Sequence, residues 1–107
     1  MRVPSDTFSV RVKQSNGALH LRLSGRFDSG AVAALDGLIG VGRSRDVVMD
    51  LERITFIDGA AWVALMAYDH RVHDWGKDLR LVNTPAHLRR IFELTATEHL
   101  LAEAVGR

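Results

Sequence analysis

Residues 47 to 66 constrain the fold of this chain more than any other stretch. Val47-Val48-Met49-Asp50-Leu51 is almost entirely apolar. It reads as a central strand covered on at least one face, with cover on both expected. The chain then passes through Glu52-Arg53 and Ile54-Thr55-Phe56-Ile57 to an acidic turn at Asp58, where a helix begins. A buried strand feeding straight into a helix belongs in a layered α/β architecture.

The helix is unusual in its first two turns. At 100° per residue, Ala61, Leu65, Tyr68, Val72 and Trp75 fall within about 40° of one direction, the buried stripe of an amphipathic helix. Trp62 and Met66 lie roughly 100–140° away, and Val63 and Ala67 point nearly opposite. Later turns fill those outer directions with Asp69, His70, Arg71, His73 and Asp74, as a solvated face requires. Two explanations compete. Another element of the same domain covers Trp62, Val63 and Met66, or the patch is a docking site for a partner, the reading preferred here.

The rest of the chain supplies a frame for that helix. Phe8 to Lys13 and Leu19 to Ser24 alternate apolar and polar, so each is a strand with one buried face. Asn16-Gly17 between them predicts a tight hairpin. Gly25 to Asp28 ends the second strand, and Asp28 or Ser29 can cap a helix carrying Val32, Leu35, Leu38 and Ile39 at helical spacing. Gly40 to Asp46 forms a loop, and Gly76 stops the second helix. Leu79 to Val82 is a short fourth strand, and Thr84-Pro85 has the cap-then-proline pattern of a third helix start. The tail, residues 96–104, reads as either a last short strand or a terminal helical turn.

The order is β-β-α-β-α-β-α. The predicted fold is a single α/β domain, residues 1–107, with a mixed sheet of four to five strands and helices mainly on one face. Strands joined through helices should run parallel by right-handed crossovers. With 107 residues, 47 % hydrophobic and 25 % charged, one ordered domain is expected rather than a disordered chain. A formal net charge of +1 gives no long-range reason to seek nucleic acid or an anionic membrane. The absence of cysteine excludes disulfides, thiolate metal sites and cysteine nucleophiles. The start lacks the apolar core of a secretory signal and no apolar run approaches a membrane span, so a cytoplasmic location is expected.

Four segments together resemble one family. Leu-Ser-Gly-Arg-Phe-Asp at 23–28 and Asp-Leu-Glu-Arg-Ile-Thr-Phe-Ile-Asp at 50–58 come first. Gly-Lys-Asp-Leu-Arg-Leu-Val at 76–82 and Leu-Arg-Arg-Ile-Phe-Glu-Leu-Thr at 88–95 follow. In this order and spacing they resemble the STAS domain, the family of bacterial anti-sigma factor antagonists and of sulfate-transporter tails. The resemblance implies a STAS-type fold over residues 8 to 101. It also implies partner switching: the unphosphorylated domain binds an anti-sigma factor, often a serine-kinase-type protein, and frees a sigma factor.

The departure from the family pattern carries as much information as the match. The family's acidic position falls on Asp58, and its phosphoacceptor serine or threonine falls on Gly59. The next serine, glycine and leucine positions are Ala60, Ala61 and Trp62, while Asp28 matches an acidic residue beside the phosphorylation site. None of Gly59, Ala60 and Ala61 has a hydroxyl, so this loop cannot accept a phosphate. The added charge of about −1.5 to −2 that would repel an acidic interface is not available there. Thr55 and Ser29 are the alternative hydroxyls expected near that end of the sheet.

Other chemistries find little support. His70 and His73 with Asp69 and Asp74 have metal-like spacing, but no third element supplies a ligand, and pairing of Asp69 with His73 or His70 with Asp74 suffices. Gly37 to Gly42 lies at a helix end, where glycines cap, not at the strand-to-helix junction of a phosphate loop. Gly59-Ala60-Ala61 offers amides to an anion. Asp58 is expected to cap them already and to repel a phosphate. No nucleophile–base pair or catalytic carboxylate pair emerges, so no enzymatic role, metal or cofactor is expected.

The expected function is therefore a non-enzymatic binding module of the anti-sigma factor antagonist kind. Its partner surface would comprise Asp28, Asp58, Gly59, Ala60, Trp62, Val63 and Met66, with no direct nucleic-acid contact and no membrane insertion. The alternatives are a STAS subunit of a lipid-transport ABC complex and a nucleotide-binding STAS domain.

Overall fold

The computed structural model describes residues 7–41, 45–95 and 98–100. Two strands open the chain, β1 (Ser9–Ser15) and β2 (Ala18–Phe27), joined by the expected hairpin. Asn16 and Gly17 both take positive φ, 54° and 77°, the conformation of a type I′ turn that matches strand twist. Helix α1 (Ser29–Val41), strand β3 (Asp46–Ile57), helix α2 (Gly59–Asp74), strand β4 (Leu79–Val82) and helix α3 (Ala86–Leu94) follow. A 3-10 turn, Glu98–Leu100, comes after them. The β-β-α-β-α-β-α order of the expected fold is the observed one.

The sheet has four strands in the order β1-β2-β3-β4. β1 is antiparallel to β2, whereas β2, β3 and β4 run parallel, so each helix crossing returns the chain in the same direction. Leu19, Leu21, Leu23, Val47, Met49, Leu51, Leu79 and Leu81 point to one face and are buried. Leu35 and Ile39 of α1, Leu65, Tyr68 and Val72 of α2, and Leu88 and Phe92 of α3 join the same core. Leu100 is fully buried in it, so the 3-10 turn closes the core, while Ala96, Thr97 and residues 101–107 lie outside the described residues.

β3 is much longer than the apolar run at 47–51. Register shifts opposite Arg22 to Ser24 and at Gly25/Arg26 let both strands continue past exposed Glu52 and Arg53 to buried Ile54 and Ile57. Gly25 sits at the second shift with φ 88°, a bulge position that a side chain would strain. That extension carries Phe27 and Ile57 to the same level, and both helices start from there.

The expected cover on both faces of the 47–51 strand is not found: the helices pack on the Val47, Met49 and Leu51 side, and no described element covers the side of Val48 and Asp50, which their sheet neighbours only half bury. Two local details also differ from the sequence reading. Pro85 is itself the N-cap of α3 and makes no side-chain cap bond, so Thr84-Pro85 sits one position earlier than a helix-initiating proline. Asp69 turns to His99 at 3.3 Å, not to His73, because the 3-10 turn brings His99 against α2. His70 and Asp74 do approach, at 3.9 Å on an exposed face.

Candidate docking site at the helix N-termini

Helices α1 and α2 begin side by side at the ends of β2 and β3, and each begins with an aspartate. Asp58 is the N-cap of α2, extended at φ −98° and ψ 178°, and its Oδ1 accepts the Ala61 N–H at 2.9 Å. Its Oδ2 also accepts the Ser29 N–H of α1 at 3.3 Å. One carboxylate thus satisfies amides of two helices and sits where both macrodipoles favour negative charge. Asp28 caps α1 through Oδ1 and the Ala31 N–H at 3.2 Å. The Asp58 N–H donates to the Phe27 carbonyl at 3.3 Å, holding the two turns together.

Basic and aromatic groups flank Asp28. Arg26 Nε lies 4.0 Å from Asp28 Oδ2, and its guanidinium stacks 4.1 Å above the exposed ring of Phe56. Sequence reasoning missed Arg26 and Phe56 as neighbours of the site. They pair across β2 and β3 only because of the register shifts, and no local pattern reports such a shift. Phe8 stacks on Phe27 at 5.5 Å beneath them.

Gly59 opens α2 and is exposed. It does not adopt positive φ, and a Cβ built on it would meet no atom within 4 Å. Nothing steric therefore explains the glycine; a serine fits there. Ser29 is exposed and its amide is bonded to Asp58, while Thr55 is exposed three residues up the strand.

The apolar patch is partly resolved into core and surface. Val63 is 59 % exposed and Ala60 and Ala67 face solvent, as the helical wheel implies. Trp62 and Met66 are half-buried and pack against the core. Trp62 does not stand free: its Nε1 is shielded from solvent and has no acceptor among the described residues. Ala64 joins Ala61, Leu65, Tyr68 and Val72 in the buried stripe, whereas Trp75 is only half-buried at the helix end. There the Gly76 and Lys77 amides bond back to His73 and Val72, a Schellman closure with Gly76 at φ 76°.

Among the described residues no cluster of three potential metal ligands occurs. Three of the helix-start amides that an anion would use, those of Ser29, Ala31 and Ala61, are occupied by Asp28 and Asp58. No described helix is long and apolar enough to cross a membrane.

A four-stranded mixed sheet with this strand order, and strand-to-helix turns paired at one end, defines a small α/β domain built to present those turns. The family model described as "Mlab, STAS domain" matches residues 10–102, and the chain belongs to the STAS domain family. The fold is shared with an anti-sigma factor antagonist from Mycobacterium paratuberculosis, at 22 % identity and a TM-score of 0.77, over 92 % of this chain and 86 % of that one. It is also similar to the anti-sigma factor antagonist SpoIIAA in its unphosphorylated form, at 15 % identity and a TM-score of 0.74, covering 87 % and 85 % of the two chains. A sulfate transporter family protein from Wolinella succinogenes matches at 20 % identity and a TM-score of 0.72, over 83 % and 75 %. No curated protein matches the sequence.

Proposed function

We propose that this domain is a non-enzymatic binding module that captures an anti-sigma factor and so releases a sigma factor. The observation that carries the reading is Val63, a large apolar side chain left exposed one turn from a doubly used acidic cap. Asp28, Asp58, Gly59, Ala60, Trp62, Val63 and Met66 form the surface, with Trp62 and Met66 supplying a partly exposed, rigid apolar floor. The likeness to anti-sigma factor antagonists supports the partner class. The lack of a hydroxyl at residues 59–61 supports binding that phosphorylation of this turn does not switch off.

Purified protein should retain a kinase-fold anti-sigma factor from its own source, and Val63→Asp should abolish the retention. Recovery of an ABC ATPase, lost in the same variant, would replace this reading with a lipid-transport role. Retention unaffected by Val63→Asp would remove the surface from the argument. Incubation of the complex with ATP should leave residues 54–66 unmodified. Phosphate mapped by mass spectrometry to Ser29 or Thr55 at useful stoichiometry would overturn the unswitched character.

A further inference from the structure

The sheet face opposite the helices carries no covering element among the described residues, and its side chains form two rows across all four strands. Register alignment puts Lys13, His20, Val48 and Arg80 in one row and Arg11, Arg22, Asp50 and Val82 in the next. Most of these residues line one open, shallow trough. Rows two residues apart along a strand are separated by roughly 6.6 Å, and each row spans roughly 14 Å from β1 to β4. With Asp46 one row further along the same face, these two rows therefore hold four permanent cations and a single carboxylate.

That carboxylate is already engaged. Asp50 is half-buried and accepts the Glu52 N–H at 2.9 Å and Asn83 Nδ2 at 3.1 Å, with Arg22 Nε at 3.7 Å. No carboxylate among the described residues pairs with Arg11, Lys13 or Arg80, and all three are exposed. The chain as a whole has a net charge of only +1, so the rest of the molecule is on balance acidic. These two rows alone thus carry a larger positive charge than the whole chain.

We infer that the open sheet face is a second docking surface, for an acidic segment of polypeptide. Its carboxylates would meet Arg11 and Lys13 on one side and Arg80 on the other, while an apolar side chain settles on Val48 and Val82. Complementary charge across such a contact fixes register and speeds association. A second copy of this chain is a poor occupant, because two such faces would repel. A nucleic acid strand would find phosphate contacts but no Phe, Tyr or Trp in either row on which to stack a base. An anionic membrane would find no projecting apolar anchor, since Val48 and Val82 are half-buried at the floor. The inference is independent of the partner assigned to the helix N-termini.

Fluorescence anisotropy with a labelled peptide of glutamates interrupted by two leucines tests it on the intact chain. Saturable binding that weakens with rising salt is expected. Arg11→Glu/Lys13→Glu and Arg80→Glu should each reduce affinity about tenfold or more, whereas Val63→Asp, at the other end of the molecule, should not change it. All three reversed side chains are exposed, and a melting curve of each variant establishes that it is folded. If a reversal does not fold, Lys13→Ala/Arg80→Ala takes its place with the same expected loss. Absence of saturable binding, or binding indifferent to these changes, would overturn the proposal. So would oligothymidylate or phosphatidylglycerol vesicles that bind through the same cations more tightly than the peptide.

Discussion

The two ends of this molecule handle charge in opposite ways. At the helix N-termini, every carboxylate is spent on backbone amides: Asp58 serves Ala61 and Ser29, and Asp28 serves Ala31. In the two rows of the open sheet face, three cations have no carboxylate partner among the described residues, and Asp50 is taken up locally. The first region uses charge to fix backbone and leaves mainly shape and apolar area on its surface. The second leaves charge unspent and available. Structural and recognition charges are told apart by what they touch, not by residue type.

Trp62→Ala should produce the largest change. Trp62 packs on the core, so truncation should cost about 3 kcal/mol of stability, toward the lower end of values for buried aromatics because the side chain is only partly buried. A denaturant titration showing less than about 1 kcal/mol would return Trp62 to the surface and make the first region a plain docking patch. Val63→Asp comes next and acts on binding alone. Its exposure predicts a stability change within about 0.5 kcal/mol, against a loss of partner affinity of about 30-fold. Calorimetry on one sample reads both quantities.

Asp58→Ala sharpens the contrast between spent and unspent charge. It removes caps from two helices and should destabilise the domain by about 2 kcal/mol, while Asp28→Ala, which uncaps one, should cost about 1 kcal/mol. Equal melting temperatures for the two variants would deny Asp58 its bridging role. Gly59→Ser should change stability by less than about 0.5 kcal/mol, because the position is exposed and accepts a side chain without strain. It should also create a phosphoacceptor for a cognate kinase. A strong destabilisation would mean that the turn, and not the switch, explains the glycine.

Smallest at neutral pH is an effect confined to alkali. Tyr68, the only tyrosine in the chain, is buried with its hydroxyl donating to the Val32 carbonyl at 3.3 Å, which ties α2 to α1. Burial, reinforced by the negative charge of Asp36, pushes its pKa up to about 12 from 10.0. The folded state therefore holds the proton more tightly than the unfolded chain does. This contribution is full below pH 10 and is lost as pH rises towards about 12. Ultraviolet titration should show no phenolate below about pH 11 while the fold persists; ionisation near pH 10 would show the helix layer to be open to water.

Much of the candidate site was legible because its chemistry is local. An N-cap works between residues three apart, so Asp58 before an apolar helix already implied the bond to the Ala61 N–H. The Asn16-Gly17 hairpin, the buried stripe of Ala61, Leu65, Tyr68 and Val72, and the missing hydroxyl at Gly59 follow from residue type and period alone. Trp62 was less legible. A wheel gives the direction of a side chain but not how far the neighbouring core extends beneath it, and the tryptophan at the flank reaches that core.

What the sequence by itself determined is the order of elements, the cap and turn chemistry, and the inability of residues 59–61 to carry a phosphate. Only the tertiary structure decided that Asp58 also holds Ser29, that β2 and β3 continue through bulges to the helix starts, and that Arg26 lies over Phe56. It alone revealed that a net charge of +1 conceals a cationic face. Each of these depends on register between strands far apart in the chain, and a shift of one residue would turn every side chain to the other face. Composition sums the charges; the alignment of four strands decides which of them stand together.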